Sequence, residues 1–356
     1  MRTLLLGLII SFQTMSDSSL QLIKVAESND VWNGVTTSED GRIFVCFPRI
    51  EGEAGMRIAE LKNGAAVPFP DASWNGWKPG ARTANRFVRT NSLRIGPDGN
   101  LWVVDTGTPK MGEKALIGAA KLVAIDLHQN KVVRTIPLDA VTNENSFIDD
   151  LRISGETIYL TDAGSPGLVI MDKNTGKGRR VLQNTPATTD NIPMLAEGKV
   201  MKTPDGKEVL IHADQLEISP DGKYLFFQPA SGPLYRIATA HLLNPKLSET
   251  ELETKVVKWF DTPTTGGTAI DASGNIYISD VNHSAIIRIT PKGKQETIIQ
   301  DKRLLWGDAL WIDKDGFLWI PVGQLNRLAT FQNQVSKIEL PLVIYKLAIG
   351  AKQFKS

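Results

Sequence analysis

Along its length the chain alternates short apolar runs with tight polar turns. Six segments share one plan: an apolar run, a turn closing on glycine, and a second apolar run. Clear copies are Leu93-Arg-Ile-Gly-Pro-Asp-Gly-Asn-Leu-Trp-Val-Val104, Leu216-Glu-Ile-Ser-Pro-Asp-Gly-Lys-Tyr-Leu-Phe-Phe227 and Leu310-Trp-Ile-Asp-Lys-Asp-Gly-Phe-Leu-Trp-Ile320. The turn glycines are Gly41, Gly99, Gly155, Gly222, Gly274 and Gly316, spaced 42 to 67 residues apart. Asp-Gly and Ser-Gly supply the positive φ that tight hairpins require. The flanking runs are rich in Val, Ile, Leu, Trp, Tyr and Phe, as strands buried on both faces are. A second hairpin signal follows several copies, as in Lys121-Leu-Val-Ala-Ile-Asp126 and Ala285-Ile-Ile-Arg-Ile289. Two hairpins make a four-stranded blade. One blade cannot bury its own two faces, so blades must stack in a ring. The pattern predicts an all-β, six-bladed β-propeller with four-stranded blades around a central channel. It predicts no long helix, only a short helical turn over residues 238–243. Residues 20–25 and 340–349 flank the repeats, and either can supply the outer strand of a blade built from both chain ends.

Two long insertions, residues 68–90 and 183–213, each precede the first strand of a blade. The first contains Trp74-Asn-Gly-Trp77; the second carries its own hairpin signal. Loops at that point open onto one face of the ring, where binding is expected. Aligning the six first strands and stepping back two residues from the first apolar position gives Asn33, Asn91, Asp149, Asp214, Gly266 and Asp308. Five of the six are Asn or Asp, and they should converge at one mouth of the channel. Two uses fit them. As a group they form a ligand-binding or cation-binding ring, with Asp149, Asp214 and Asp308 as oxygen donors for Ca²⁺ or Mg²⁺. Individually they cap strand starts by accepting from backbone N–H groups. The second strands end beside them at Asp105, Asp162, Gln228, Asp280 and near Pro321. There Asp105-Thr-Gly107 and Asp162-Ala-Gly164 read as Asx turns.

His212, two residues before Asp214, and His283, three after Asp280, should approach the same face. Each reads either as a general base or ligand contact, or as an exposed loop residue. Asp214 and His212 are the candidates for catalysis; His283 joins the ring as a candidate ligand contact. The chain has no Ser-His-Asp order, no Gly-rich phosphate loop and no His-rich metal motif.

Charge narrows the partners. Forty Lys and Arg face 39 Asp and Glu, so no basic field exists to attract nucleic acid or an anionic membrane. A small molecule is the expected partner. Cys46 is the only cysteine. It lies in the apolar run Ile43-Phe-Val-Cys-Phe47, which excludes a disulfide framework and reads as a core thiol. No segment is apolar for long enough to span a bilayer. Met1-Arg2 and the apolar residues 4–10 read as a secretory signal over residues 1–15, which implies a secreted or periplasmic protein. The other reading starts translation at Met15 and implies a cytoplasmic one. The propeller takes residues 16–356.

Several of these segments also resemble a known family in sequence order. They are Gly41-Arg-Ile-Phe-Val-Cys-Phe-Pro-Arg49, Leu101-Trp-Val-Val-Asp-Thr-Gly107, Tyr159-Leu-Thr-Asp162 and Phe226-Phe-Gln-Pro-Ala-Ser-Gly-Pro-Leu-Tyr235. Leu305-Trp-Gly-Asp-Ala-Leu310 and Leu325-Asn-Arg327 complete the set. Together they resemble the Yellow/major royal jelly protein family, in a bacterial-type form without the cysteines common in the secreted insect members. The resemblance implies a six-bladed propeller, commonly secreted. It also implies small-ligand binding at the mouth and, in some members, dopachrome conversion or pigment formation. A wider resemblance is to gluconolactonase-like propellers. These hold a divalent metal with Glu on blade one, Asn of an Asn-Asp pair on blade three, Asn on blade four and Asp on blade five. The matching positions here are Asn33, Asp149 (beside Asp150), Asp214 and Gly266, and each departs from that pattern. Three functions follow: a ligand-binding propeller with either no catalysis or a weak isomerase-like activity, a divalent-metal-dependent lactonase or esterase, and a scaffold for protein partners.

Overall fold

The computed structural model describes residues 20–356; the candidate signal segment, residues 1–15, lies outside the described residues. Six four-stranded antiparallel sheets are arranged as blades. The first comprises Gly34–Thr37, Ile43–Cys46, Ile58–Lys62 and Ala65–Pro68, from the channel outward. The inner strands of the next four blades are Thr90–Ile95, Ile148–Ser154, Ala213–Ile218 and Thr265–Ile270. The sixth blade runs Trp311–Ile312, Phe317–Pro321, Leu342–Ala348 and then Leu22–Ser28, so the N-terminal strand is its outermost member. Leu22 pairs with Leu347 and Ser28 with Leu342. That strand closes the ring. The last residues also return to the fifth blade, where Ala272 N donates to Lys352 O at 2.9 Å.

Apolar layers fill the spaces between blades. Leu122, Val104, Leu151 and Leu160 lie between the second and third blades, and Leu168, Leu216 and Phe227 between the third and fourth. Fully burying each such side chain contributes about 1.5–3 kcal/mol. The repeated turn has a shared device. Asp313 accepts from Asp315 N and Phe317 N, and its other oxygen takes the Trp319 indole N–H at 2.7 Å. Asp271 does the same for Ser273 N, Asn275 N and the Tyr277 hydroxyl. An Asx turn thus also satisfies a buried aromatic, which is why the motif survives in sequence as Asp before Gly and an aromatic after it.

The two insertions differ in use. Residues 68–90 fold down onto the blades. Buried Asn75 accepts from Arg57 N and Ile58 N and donates to Phe69 O and Asp71 O. Residues 183–213 rise over the mouth as a small hairpin, Leu195–Ala196 with Lys199–Val200. The predicted helical turn is Thr239–Leu242. A second helix, Glu249–Glu253, was not expected, although Ser248 and Glu251 form a full capping box. Among the described residues no helix is long and apolar enough to cross a membrane.

Candidate functional site

The polar ring is assembled by a backbone irregularity. The inner strands of blades two to five slip register against their partners between Thr90 and Ser92, Ile148 and Leu151, Ala213 and Leu216, and Thr265 and Thr268. A bulge of this kind breaks strand alternation and re-aims side chains. It frees Asn91, Asp149, Asp214 and Gly266 to face the mouth. With Asn33 and Asp308 they line a cavity of about 640 Å³. The ring links blade to blade. Asn33 Nδ2 donates to Asn91 O at 2.7 Å, and Gln215 Nε2 donates to Thr265 O at 2.8 Å.

Within the ring the carboxylates differ. Asp308 accepts from Ala309 N at 2.8 Å and Trp306 Nε1 at 3.2 Å, the capping arrangement. Asp149 and Asp214 instead act on each other: the Asp149 charge and side chain raise Asp214, while the Asp214 side chain lowers Asp149. Gln215 Nε2 donates to the Asp214 carboxyl at 2.6 Å. Burial pushes Asp149 up to about 7, with Asp150 adding to the rise, while the bond from Asp214 and the Arg89 charge oppose it. Burial and the Asp149 charge raise Asp214 well above the ordinary carboxylate range. Burial also raises Asp308. Both carboxyls therefore release their protons at higher pH than an ordinary aspartate, and they titrate as a linked pair.

This has a sign for stability. A carboxyl titrating near 7 when folded and near about 3.9 when unfolded keeps a proton that the unfolded chain releases. Its contribution is full below the unfolded value and is lost as pH rises through that window. Asp149→Asn is expected to flatten the fall in unfolding free energy between about pH 4 and pH 7, measured by urea denaturation at several pH values. An unchanged slope counts against the raised carboxyl.

Beneath the floor lies a buried ion network. Arg152, with 0% exposure, donates to Glu217 at 3.0 and 2.7 Å and to Asp150 at 2.7 Å. Burial alone would lower its pKa, but Asp150 and Glu217 carry it above the ordinary range. Ser92 Oγ donates to Asp150 and Thr268 Oγ1 to Glu217. The network therefore fixes the strand that carries Asp149.

The second-strand aspartates serve the scaffold. Asp105 accepts from Val88 N, Arg89 N and Gly107 N and pairs with Lys121 at 2.7 Å. Asp162 accepts from Phe147 N and pairs with Arg180. The histidines lie outside the cavity lining. His212 Nδ1 accepts from Asp190 N at 3.1 Å, and burial lowers its pKa. His283 is 61% exposed and pairs with Asp280 at 2.7 Å.

Gly266 is a place of close approach. A Cβ there would lie 2.2 Å from Gly307 O and 2.9 Å from Val281 Cγ1. Blades five and six meet too closely for any side chain, so the gap in the ring is a packing requirement. Gly266→Ala is expected to cost at least about 1–3 kcal/mol, the usual toll of overpacking, read from thermal or urea unfolding. Wild-type stability would show that the backbones can part.

Several lining residues escaped the sequence reading. Arg89, Phe147 and Trp306 each stand two residues before a ring member, and extending the alignment by one step would have found them. Met201 and Ile211 come from the mouth insertion, Met111 and Phe331 from loops that follow second strands. The donor set meets a hard cation only in part. Asn33 Oδ1 is buried without a hydrogen-bond donor, and the Asp149–Asp214 pair offers further oxygens. Among the described residues, however, no three His, Cys, Asp or Glu side chains converge as metal ligands. Asp149, Asp214 and Asp308 do all line the one cavity.

Fold and cavity together define a six-bladed propeller with a polar-floored mouth. The chain belongs to the major royal jelly protein family, whose model matches residues 90–348. It is also similar to a gluconolactonase of Zymomonas mobilis, 25% identical over 237 residues, which span 64% of this chain and 56% of that protein. A gluconolactonase structure from Xanthomonas campestris superposes with a TM-score of 0.56 at 11% identity, covering 93% of this chain and 90% of that one. A luciferin-regenerating enzyme superposes with the same score at 10% identity, covering 95% and 98%. These two show a shared fold.

Proposed function

We propose that this propeller binds a small carbonyl-bearing organic molecule in the mouth cavity and moves a proton on it. The observation carrying this reading is that Asp149 and Asp214 both line the cavity, each with its titration raised by burial; in the proposed state one is a carboxylate and the other a carboxylic acid. In the proposed reaction Asp149 takes a proton from carbon next to the carbonyl. Asp214 gives its proton to the carbonyl oxygen, leaving an enol. The reverse transfers, at a different carbon, complete an isomerisation without any oxidant or water. A base titrating near neutrality is poised for such a step. Family membership supports the ligand-binding part. The test is wash-in of solvent deuterium into enolisable carbonyl compounds, dopachrome among them, followed by NMR. Exchange above the buffer rate is expected; no exchange for any compound would refute the reading.

A divalent-metal-dependent lactonase is the second reading. It is favoured by the unpartnered Asn33 Oδ1 and by similarity to the Zymomonas gluconolactonase. Asn33, Asp149 and Asp214 would hold the ion, which would supply polarisation of a lactone carbonyl. Lactone turnover abolished by a chelator would favour this reading over proton transfer.

A further inference from the structure

Among the described residues, Arg89 is a buried cation without a counter-ion in contact. It is 3% exposed and lines the mouth cavity. Its single side-chain hydrogen bond to the described residues runs from Nη1 to Thr108 Oγ1 at 3.0 Å. Its Nε has no partner. The guanidinium carbon lies 4.7 Å from the centroid of the Phe147 ring, which holds it in place from one side. Its backbone N–H donates to Asp105, and Thr106 Oγ1 lies 2.9 Å from Thr108 Oγ1, so both ends of the group are positioned.

Other buried arginines are treated differently. Arg152 has two carboxylates, and the half-buried Arg180 has Asp162. Arg57 donates to the carbonyls of Val88, Gly55 and Asn75. Arg94 shares the unpartnered Nε, but it is not among the residues lining the cavity. Burial lowers the pKa of Arg89 to about 10, which still leaves it charged at neutral pH. An unpaired buried charge is costly to the free protein. At Arg89, which lines the cavity, a bound anion would offset that cost.

We propose that Arg89 is an anion-recognition residue and that the molecule bound in the mouth carries a carboxylate on an apolar body. The planar guanidinium matches a carboxylate in a bidentate fork. The apolar body follows from the walls, which include Met111, Phe147, Ile211, Trp306 and Phe331. A cavity of about 640 Å³ suits a small organic acid. This assignment rests on the mouth cavity being the ligand site, and it names the class of molecule on which the proton transfer acts.

The experiment measures binding of matched pairs by calorimetry: benzoate against benzamide, and indole-3-acetate against indole-3-acetamide. For wild type, each acid is expected to bind at least about tenfold more tightly than its amide, the scale of one charge-assisted hydrogen bond. Arg89→Gln is expected to bring that ratio close to one with the amide affinity unchanged, and Arg89→Lys to restore part of it. If Arg89→Gln does not fold, Thr108→Val serves instead and is expected to lower the ratio by releasing the guanidinium. Equal affinities for acid and amide in wild type, binding of neither, or a ratio unmoved by these variants would overturn the assignment. Asp149→Asn keeps the acid preference if Arg89 is its source, so failure here is separable from failure of deuterium wash-in.

Discussion

Glu217→Ala is expected to lower the unfolding free energy by about 3–5 kcal/mol, the cost of stranding a buried charge partner. Glu217 is buried and accepts from Arg152 Nε at 3.0 Å, Arg152 Nη2 at 2.7 Å and Thr268 Oγ1 at 2.9 Å. Its removal leaves a fully buried guanidinium with Asp150 as its one carboxylate partner, and the Thr268 hydroxyl with no acceptor. Burying both charges was itself expensive, so the loss measures the broken pairing rather than a large net gain from the intact network. Glu217→Gln keeps an acceptor for Thr268 and removes the charge, so an intermediate loss is expected. Urea denaturation at pH 7 reads both. A change below about 1 kcal/mol, typical of exposed ion pairs, would mean that water reaches this network.

Asp149→Asn is expected to reduce proton-transfer turnover by about 10²–10⁴-fold, the usual contribution of a positioned general base. Ligand affinity should change far less, since the substitution is nearly isosteric and Arg89 is untouched. The wild-type rate should rise with pH through the Asp149 titration near 7 and then level off. That limb should vanish in the variant. Asp214→Asn removes the acid but keeps an N–H donor toward Asp149, so a smaller loss is expected. Equal activity in both variants and wild type would place the chemistry elsewhere.

The ring of blades was legible because the signals were local and repeated. Gly41, Gly99, Gly155, Gly222, Gly274 and Gly316 all adopt positive φ, as the tight turns required. Closure was half-legible. Both ends of the chain carried strand-like runs, but which of them lay outermost depended on long-range pairing. The polar ring was found by alignment, and all six positions do line one cavity. What alignment could not reveal was the bulge beside Asp149 and Asp214, since register slips leave no fixed residue signature. It is the bulge that lets Asp149 face the cavity while its neighbour Asp150 joins Arg152 below. Gly266 read as a missing ligand, whereas the backbone of Gly307 leaves room for nothing larger. His212 was close in sequence but turned toward Asp190. The role of the first insertion was also hidden, because Trp77 and Asn75 are buried by contacts that a sequence does not show.

The proposed reaction requires Asp149 and Asp214 to share one proton at the mouth of the channel. Carbon-13 NMR of the aspartate carboxyls, assigned by comparison with Asp149→Asn and Asp214→Asn, tests it most directly. The expected result is a carboxyl resonance that titrates near 7 in the wild-type protein and is missing from the Asp149→Asn spectrum, with the Asp214 carboxyl titrating well above the ordinary aspartate range. Two resonances titrating independently near the ordinary aspartate value of about 3.9 would contradict the shared proton, and with it the proposed acid–base pair.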